Sequence, residues 1–86
     1  CFHTEETIKG QIIAINEYNR HPTQELIFVI GYFLFFKAIL KTRPKLDAET
    51  AQMFKDTFEG FVSRVRYDLT MPEVLREFIL IELRQK

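Results

Sequence analysis

The most constraining feature of this sequence is a nearly unbroken apolar segment at 26–40, which reads LIFVIGYFLFFKAIL. Lys37 is its one charged residue. A helix on a protein surface carries an apolar stripe and a polar back, whereas a helix that is apolar all round is enclosed by other elements. The segment therefore predicts a buried central helix over 26–40, with the rest of the chain folded around it.

A membrane span is the competing interpretation of the same segment. A helix that crosses a bilayer needs about 20 consecutive, mostly apolar residues. The run at 26–40 is shorter, contains a lysine, and lies between Pro22 and Pro44, which favour helix ends. Integral membrane insertion is therefore disfavoured, and a helix lying in the membrane interface remains as the alternative.

Apolar residues recur at helical spacing in three further segments. In the first they are Ile8, Ile12, Ile15 and Tyr18; in the third they are Ala51, Phe54, Phe58, Phe61 and Val65; in the fourth they are Val74, Leu75, Phe78, Ile79, Ile81 and Leu83. The third set alternates in steps of three and four like a coiled-coil seam. With Phe58 at its middle, Phe58→Ala is expected to cost about 3–5 kcal/mol.

Capping residues mark where these helices begin. Thr4, Thr23 and Asp47 each precede a helical segment and can accept a hydrogen bond from its first turn. Thr70 and Glu73 have the spacing of a capping box. Gly10 and Gly31 lie inside helical segments, where a missing side chain would allow another helix to cross closely.

These signals predict a single all-α domain over 1–86. Alternating strand patterns and hairpin dipeptides are absent from the sequence. Because the connections are short, neighbouring helices should run antiparallel. The predicted fold is a small antiparallel four-helix bundle around the buried central helix 26–40, with helices at about 5–20, 24–42, 48–68 and 71–85.

The overall charge and the cysteine usage bear on partners and compartment. Twelve basic and twelve acidic residues cancel, so the chain lacks the positive field that attracts nucleic acid. Cys1 is the only cysteine, and an intramolecular disulfide is therefore impossible. The compartment stays open: the cytoplasm is slightly favoured, and a lipoprotein anchored through Cys1 is the minor alternative.

Residues that could carry chemistry are few. The only nitrogen or sulfur ligands for a metal are Cys1, His3 and His21, and they do not have the spacing of a zinc site. The sequence also has no nucleophile motif and no glycine-rich phosphate loop. It predicts no metal, no cofactor and no enzyme activity.

Two charged residues fall within apolar helical patterns. Lys37 shares a helix face with Ile30 and Phe33, and Glu82 falls inside the apolar arc of the fourth helix. Both are candidates for buried charge. The favoured interpretation is that Lys37 extends its charged end to water or to a carboxylate, and that Glu82 lies on a solvated last turn. The alternative for Glu82 is a pair with Lys37 or Lys41, or contact with a partner.

The chain contains nine phenylalanines and no tryptophan. Phenylalanine has a large apolar surface and no polar atom, so it is stabilised by burial in a core, an interface or a ligand cavity. We therefore expect a small non-catalytic protein-interaction module: an adaptor, an inhibitor or immunity-type protein, or a small subunit of a larger assembly. Its partner would be another protein or a second copy, bound through an exposed apolar patch formed by Phe28, Phe35, Phe36 and Leu80.

Two other classes of function remain open at this point. One is a bundle that encloses an apolar small ligand, such as a lipid or pigment, in a phenylalanine-lined cavity. The other is a nucleic-acid-binding regulator, which the neutral charge disfavours. A bound apolar ligand or retention on an oligonucleotide column would distinguish them.

Overall fold

The computed structural model describes residues 4–21 and 25–84, and these residues form four α-helices. The helices are α1 (Glu5–Arg20), α2 (Leu26–Thr42), α3 (Ala48–Arg66) and α4 (Glu73–Arg84). The predicted all-α four-helix fold is confirmed. The predicted cap Thr23 and the predicted helix limits at 24 and 85 lie outside the described residues.

Two of the predicted capping residues are confirmed. The Thr4 hydroxyl accepts a hydrogen bond from the Thr7 amide at 3.2 Å, and the Asp47 carboxylate accepts one from the Thr50 amide at 2.8 Å. In each case the side chain satisfies an amide that has no partner within the first turn. These two polar residues therefore fix where α1 and α3 begin.

The end of α2 is a tight left-handed turn at Arg43. Its backbone has φ 48°, and its amide donates to the Ile39 carbonyl at 2.8 Å. Glycine usually occupies such a position, because a Cβ atom makes the left-handed conformation unfavourable. Pro44 follows directly, so the helix stops here as the sequence predicts.

The connection from α3 to α4 is longer than predicted. Asp68 accepts hydrogen bonds from both the amide and the hydroxyl of Thr70, at 3.0 and 2.5 Å, and such an aspartate-based turn competes with helix geometry. As a result α3 ends at Arg66 instead of 68, and α4 begins at Glu73 instead of 71. The capping box is a wrong prediction, because Thr70 bonds Asp68 and lies three residues before the helix.

Consecutive helices run in opposite directions. Going forward along α2, Tyr32 contacts the Phe61 ring of α3, whereas Phe36 contacts Phe58 and Phe54. The predicted antiparallel arrangement of neighbours is therefore confirmed. Contacts that advance together along both helices show that α1 and α3 are parallel to each other, and so are α2 and α4.

The most extensive helix contact joins α1 to α3. Small residues of α3 make it possible. Thr50 and Thr57 are buried, and the Thr57 hydroxyl donates to Asn16 Oδ1 of α1 at 3.1 Å. A Cβ atom on Gly60 would lie 2.8 Å from Asn19 Nδ2. The predicted close crossings at Gly10 and Gly31 are wrong, because a Cβ atom on either would meet nothing within 4 Å.

Aromatic rings fill the space between α2 and α3. Phe36 and Phe61 are fully buried, and the Phe36 ring lies 5.1–5.5 Å from its four neighbours, Phe35, Phe54, Phe58 and Phe61. The register expected for α3 needs correction: Phe58 is only half-buried and Ala51 is exposed. The close approach of α1 turns the threonine side of α3 inward, and this rotates Phe58 away from the centre.

The enclosure expected for the helix at 26–40 is incomplete. Val29, Phe33, Phe36 and Ile39 form its buried side, whereas a second apolar side is exposed to solvent. In a bundle of four short helices, each helix has neighbours around only part of its circumference. Since α2 is apolar all round, the part without a neighbour remains an apolar surface.

Candidate functional site

The candidate site is an exposed apolar surface that extends over α2 and α4. Its residues are spaced three and four apart on each helix, so they share one side of it. We call it the α2–α4 apolar face; it consists of Ile27, Ile30, Leu34, Val74, Phe78 and Ile81. Ile27 and Val74 are the most exposed of these, at 71% and 83%.

Two contacts join the halves of this face. The Phe33 and Phe78 rings meet edge to face at 5.8 Å, and Lys37 Nζ donates to Glu82 Oε1 at 2.9 Å. Both pairs advance in the same direction along the two helices, so α2 and α4 are parallel. At about 100° per residue, the exposed residues of both helices lie on the same side of the line that joins the two helices. The surface is therefore continuous across the line where the helices meet.

The exposed area of the face is large for a small domain. Summed over the six side chains it is on the order of 600 Å². The largest apolar patch of a typical monomer is about 300–600 Å² and is often functional, and larger patches mark interaction sites. Exposure on this scale favours a surface that another molecule covers.

Lys37 and Glu82, the two candidates for buried charge, are both partly exposed, as the favoured interpretation expects. Their side chains are 45% and 29% exposed, and they form an ion pair with each other. Lys37 Nζ also lies 5.6 Å from the centre of the Phe33 ring. A partly exposed ion pair contributes about 0–1 kcal/mol to stability. The predicted extension of Lys37 to a carboxylate is confirmed. The ion pair lies where the second halves of α2 and α4 meet.

The charges around the face are separated along its length. The acidic residues Glu73 and Glu77 are exposed in the first half of α4, whereas Glu25 lies on the side of α2 away from the face. The exposed basic residues Lys41 and Arg84 lie in the last turns of α2 and α4. Because α2 and α4 are parallel, Lys41 and Arg84 lie at the same end of the face, and the exposed acidic residues of α4 lie towards the other end.

The patch residues expected from the sequence have different positions. Phe35, Phe36 and Leu80 are buried in the core, so the prediction that they are exposed is wrong. Phe28 is 53% exposed, but it points about 160° away from Ile30 around α2. The aliphatic residues of α2 form the surface instead, because the aromatic side packs on the phenylalanines of α3.

A buried polar group was missed by the sequence reasoning. The Tyr18 hydroxyl donates to Asp68 Oδ2 at 2.7 Å, which joins the end of α1 to the α3–α4 connection. Burial alone raises the pKa of Asp68, but hydrogen bonds from Thr70 and Tyr18 outweigh it and hold the pKa below its usual value. Burial and the same hydrogen bond raise the pKa of Tyr18. An aspartate between helix signals gives no sequence hint of a tyrosine 50 positions earlier.

Besides the apolar face, the structure has an apolar groove between α2, α3 and α4. Its volume is about 310 Å³, and its lining residues are Leu40, Phe58, Val62, Leu80, Leu83 and Arg84. This volume is at the lower limit for small-ligand pockets, which begin near 300 Å³. The groove is the feature of the structure that corresponds to the expected ligand cavity.

Metal-binding and membrane-spanning features were sought within 4–21 and 25–84. In these ranges, no three His, Cys, Asp or Glu side chains are placed to hold a metal ion. In the same ranges, no helix has both the length and the apolar character needed to cross a membrane. Of the possible ligands named above, His21 is exposed, and Cys1 and His3 lie outside the described residues.

Comparison of the chain with known protein families, curated proteins and solved structures finds no match. Its function is therefore argued from the geometry above.

Proposed function

We propose that this protein is a small non-catalytic helical module that binds another protein through the α2–α4 apolar face. Modules of this kind are adaptors, inhibitors or immunity-type proteins, and small subunits of larger assemblies. The observation that carries the proposal is the continuous exposed apolar surface on two neighbouring helices. Proteins recognise each other through such surfaces with an apolar centre and a polar rim.

The composition of the face supports a protein partner over a small molecule. It presents five branched aliphatic residues and the Phe78 ring along two parallel helices, with Lys41 and Glu77 among the exposed charges beside it. A helix pair of this kind offers a shallow groove for a partner helix with apolar residues three and four positions apart. A drug-sized ligand, by contrast, is usually enclosed in a concave pocket.

The groups with shifted pKa values support a non-catalytic role. Hydrogen bonds from Thr50 lower the pKa of Asp47, which caps α3. Asp68 and Tyr18 bond each other in the core. Shifted pKa values often mark catalytic sites, but each of these shifts has a structural cause.

The test of this proposal is site-specific photo-crosslinking in the cells that make the protein. A photoreactive residue replaces Ile81 on the face, and a matched control replaces Lys55, which is exposed on α3. We expect a protein adduct from position 81 and not from position 55. The adduct should disappear when Leu34→Lys is added, because a charge in the centre of the face prevents burial. Equal products from both positions, or none from 81, would contradict the proposal.

The apolar groove favours a second function, the binding of an apolar small ligand. Leu80 and Leu83 supply one side of it and Phe58 and Val62 the other, with Arg84 as the charged lining residue. Mass spectrometry of the protein under native conditions, after gentle isolation, tests this. A bound species that is lost in the variant Val62→Arg, which fills the groove, would support the ligand-binding function.

A further inference from the structure

We infer that the partner of the α2–α4 apolar face is a second copy of this chain, joined by a two-fold axis perpendicular to α2 and α4. This inference rests on the proposed function, since it names the occupant of the same face. Two observations carry it: the separation of charge along the face and the area that the face exposes.

The charge separation makes the face complementary to itself in one orientation. A two-fold axis perpendicular to the helices lays each helix antiparallel on its own copy, and the acidic end of one chain then meets the basic end of the other. An axis along the helices would instead bring acidic end against acidic end. Charge therefore selects the antiparallel dimer.

The heights of the charged groups locate the axis. Phe33 contacts Phe78, and Lys37 contacts Glu82. A residue of α2 therefore lies at about the same height as the α4 residue whose number is 45 higher. An axis at the height of Phe33 brings the last turn of α2 in one chain, which carries Lys41, over the start of α2 in the other.

The same axis also pairs the charges of α4. Glu73 of one chain comes within about one residue step, or 1.5 Å, of the height of Arg84 in the other. By symmetry this pair occurs twice. The axis lies between the two chains, level with the Phe33–Phe78 contact and so near the middle of the apolar face. The charge pair and the apolar centre therefore agree on its position.

The area is suited to a dimer that forms at moderate concentration. A standard interface buries about 800 Å² on each partner, and the six apolar side chains supply on the order of 600 Å² before the charged rim is counted. The axis also brings Glu77 close to its own copy, which opposes association. We expect a dissociation constant on the order of micromolar.

Sedimentation equilibrium over a concentration series tests the inference directly. We expect the mass to rise with concentration from 10.3 kDa towards twice that value. Leu34→Lys should weaken association by more than about 100-fold, because it places two like charges beside the axis. Ile13→Lys is the matched control, since Ile13 is exposed on α1, and it should not change the dissociation constant.

Charge reversal at the two ends tests the orientation. The acid-end variant is Glu73→Lys and the basic-end variant is Arg84→Glu. Each alone should weaken the dimer about 10-fold, because both copies of the rim pair become repulsive. An equimolar mixture should restore dimers, because every pair becomes attractive again. Circular dichroism checks that both variants are folded.

A control with the same change in net charge shows that the position matters. Asp56→Lys alters an exposed residue of α3 and keeps the wild-type face, so this control forms its own dimers. It should not draw the basic-end variant into mixed dimers as the acid-end variant does. If the wild-type chain stays monomeric up to about 1 mM, or if the control recruits the basic-end variant equally well, the inference is overturned. A monomeric chain that still gives a position-81 adduct of another mass would leave the proposed function standing. The absence of any adduct would overturn both.

Discussion

The aromatic core between α2 and α3 yields the sharpest prediction about stability. Phe36 is fully buried, and the centre of its ring lies 5.1–5.5 Å from the centres of four other phenylalanine rings. Its truncation to alanine removes these contacts and leaves a cavity that the rigid rings around it cannot close. Such Phe→Ala changes cost about 3–5 kcal/mol. For a domain of this size, that is a large part of a total stability of about 5–15 kcal/mol.

The matched control for Phe36→Ala is Phe28→Ala on the same helix. Phe28 is 53% exposed, so its truncation should cost less than about 1 kcal/mol. Phe58→Ala should fall between the two, because Phe58 is half-buried; this revises the cost expected from the sequence. The assay is urea denaturation followed by circular dichroism, with the free energy extrapolated to water.

The three variants together test the register of α2. If Phe36→Ala and Phe28→Ala lost the same free energy of unfolding, α2 would be rotated from the orientation described here. A larger loss for Phe28→Ala would contradict the account of the core altogether. In either case the residues assigned to the apolar face would also be wrong.

Three further predictions concern other parts of the chain. The depressed pKa of Asp68 contributes stability that is present above the unfolded pKa of about 4 and is lost as pH falls through the lower folded value. Tyr18→Phe should therefore lower the free energy of unfolding by about 1–3 kcal/mol at pH 7, and by less near pH 3, in urea titrations. An equal loss at both pH values would contradict this account of Asp68. Arg43→Gly should stabilise the domain by about 0.5–1 kcal/mol, because glycine adopts the left-handed conformation without strain; calorimetry should show a higher Tm, and a lower Tm would refute the assigned turn. Lys37→Met should change the free energy of unfolding by less than about 1 kcal/mol, because the ion pair with Glu82 is partly exposed; a loss above about 2 kcal/mol would show a stronger pair.

The number of helices and their approximate limits follow from local chemistry. Thr4, Asp47 and Pro44 act on the backbone within one turn of themselves, so their effect can be read from neighbouring residues. The apolar spacing in α1 depends only on helix geometry, and its four predicted core residues, Ile8, Ile12, Ile15 and Tyr18, are all buried. For these features the sequence is sufficient.

The candidate site depends on contacts between distant segments, and here the sequence reasoning was incomplete. Because α2 is apolar on every side, its composition does not indicate which side faces the core. The answer comes from α3, whose threonines turn towards α1 and whose phenylalanines attract Phe35 and Phe36. The leucine and isoleucines of α2 are then left outside. Reasoning from aromatic content therefore placed the patch on the residues that fill the core.

The role of Asp68 could not be predicted for a related reason. Its side chain bonds Thr70 nearby and Tyr18 at a distance of 50 positions. The local bond displaces the predicted start of α4, and the distant bond exists only because α1 and α3 are parallel. Neither effect has a spacing pattern within one helix.

The central claim is that a protein covers the α2–α4 apolar face. Hydroxyl-radical footprinting of the protein in fresh lysate, compared with the purified chain at high dilution, tests it most directly. Leu34 and Phe78 lie on the face, whereas Ile13 and Tyr67 are exposed on α1 and after α3. We expect Leu34 and Phe78 to be protected in the lysate and reactive on dilution, with Ile13 and Tyr67 reactive in both. Equal reactivity of Leu34 and Phe78 in the two conditions would contradict the claim.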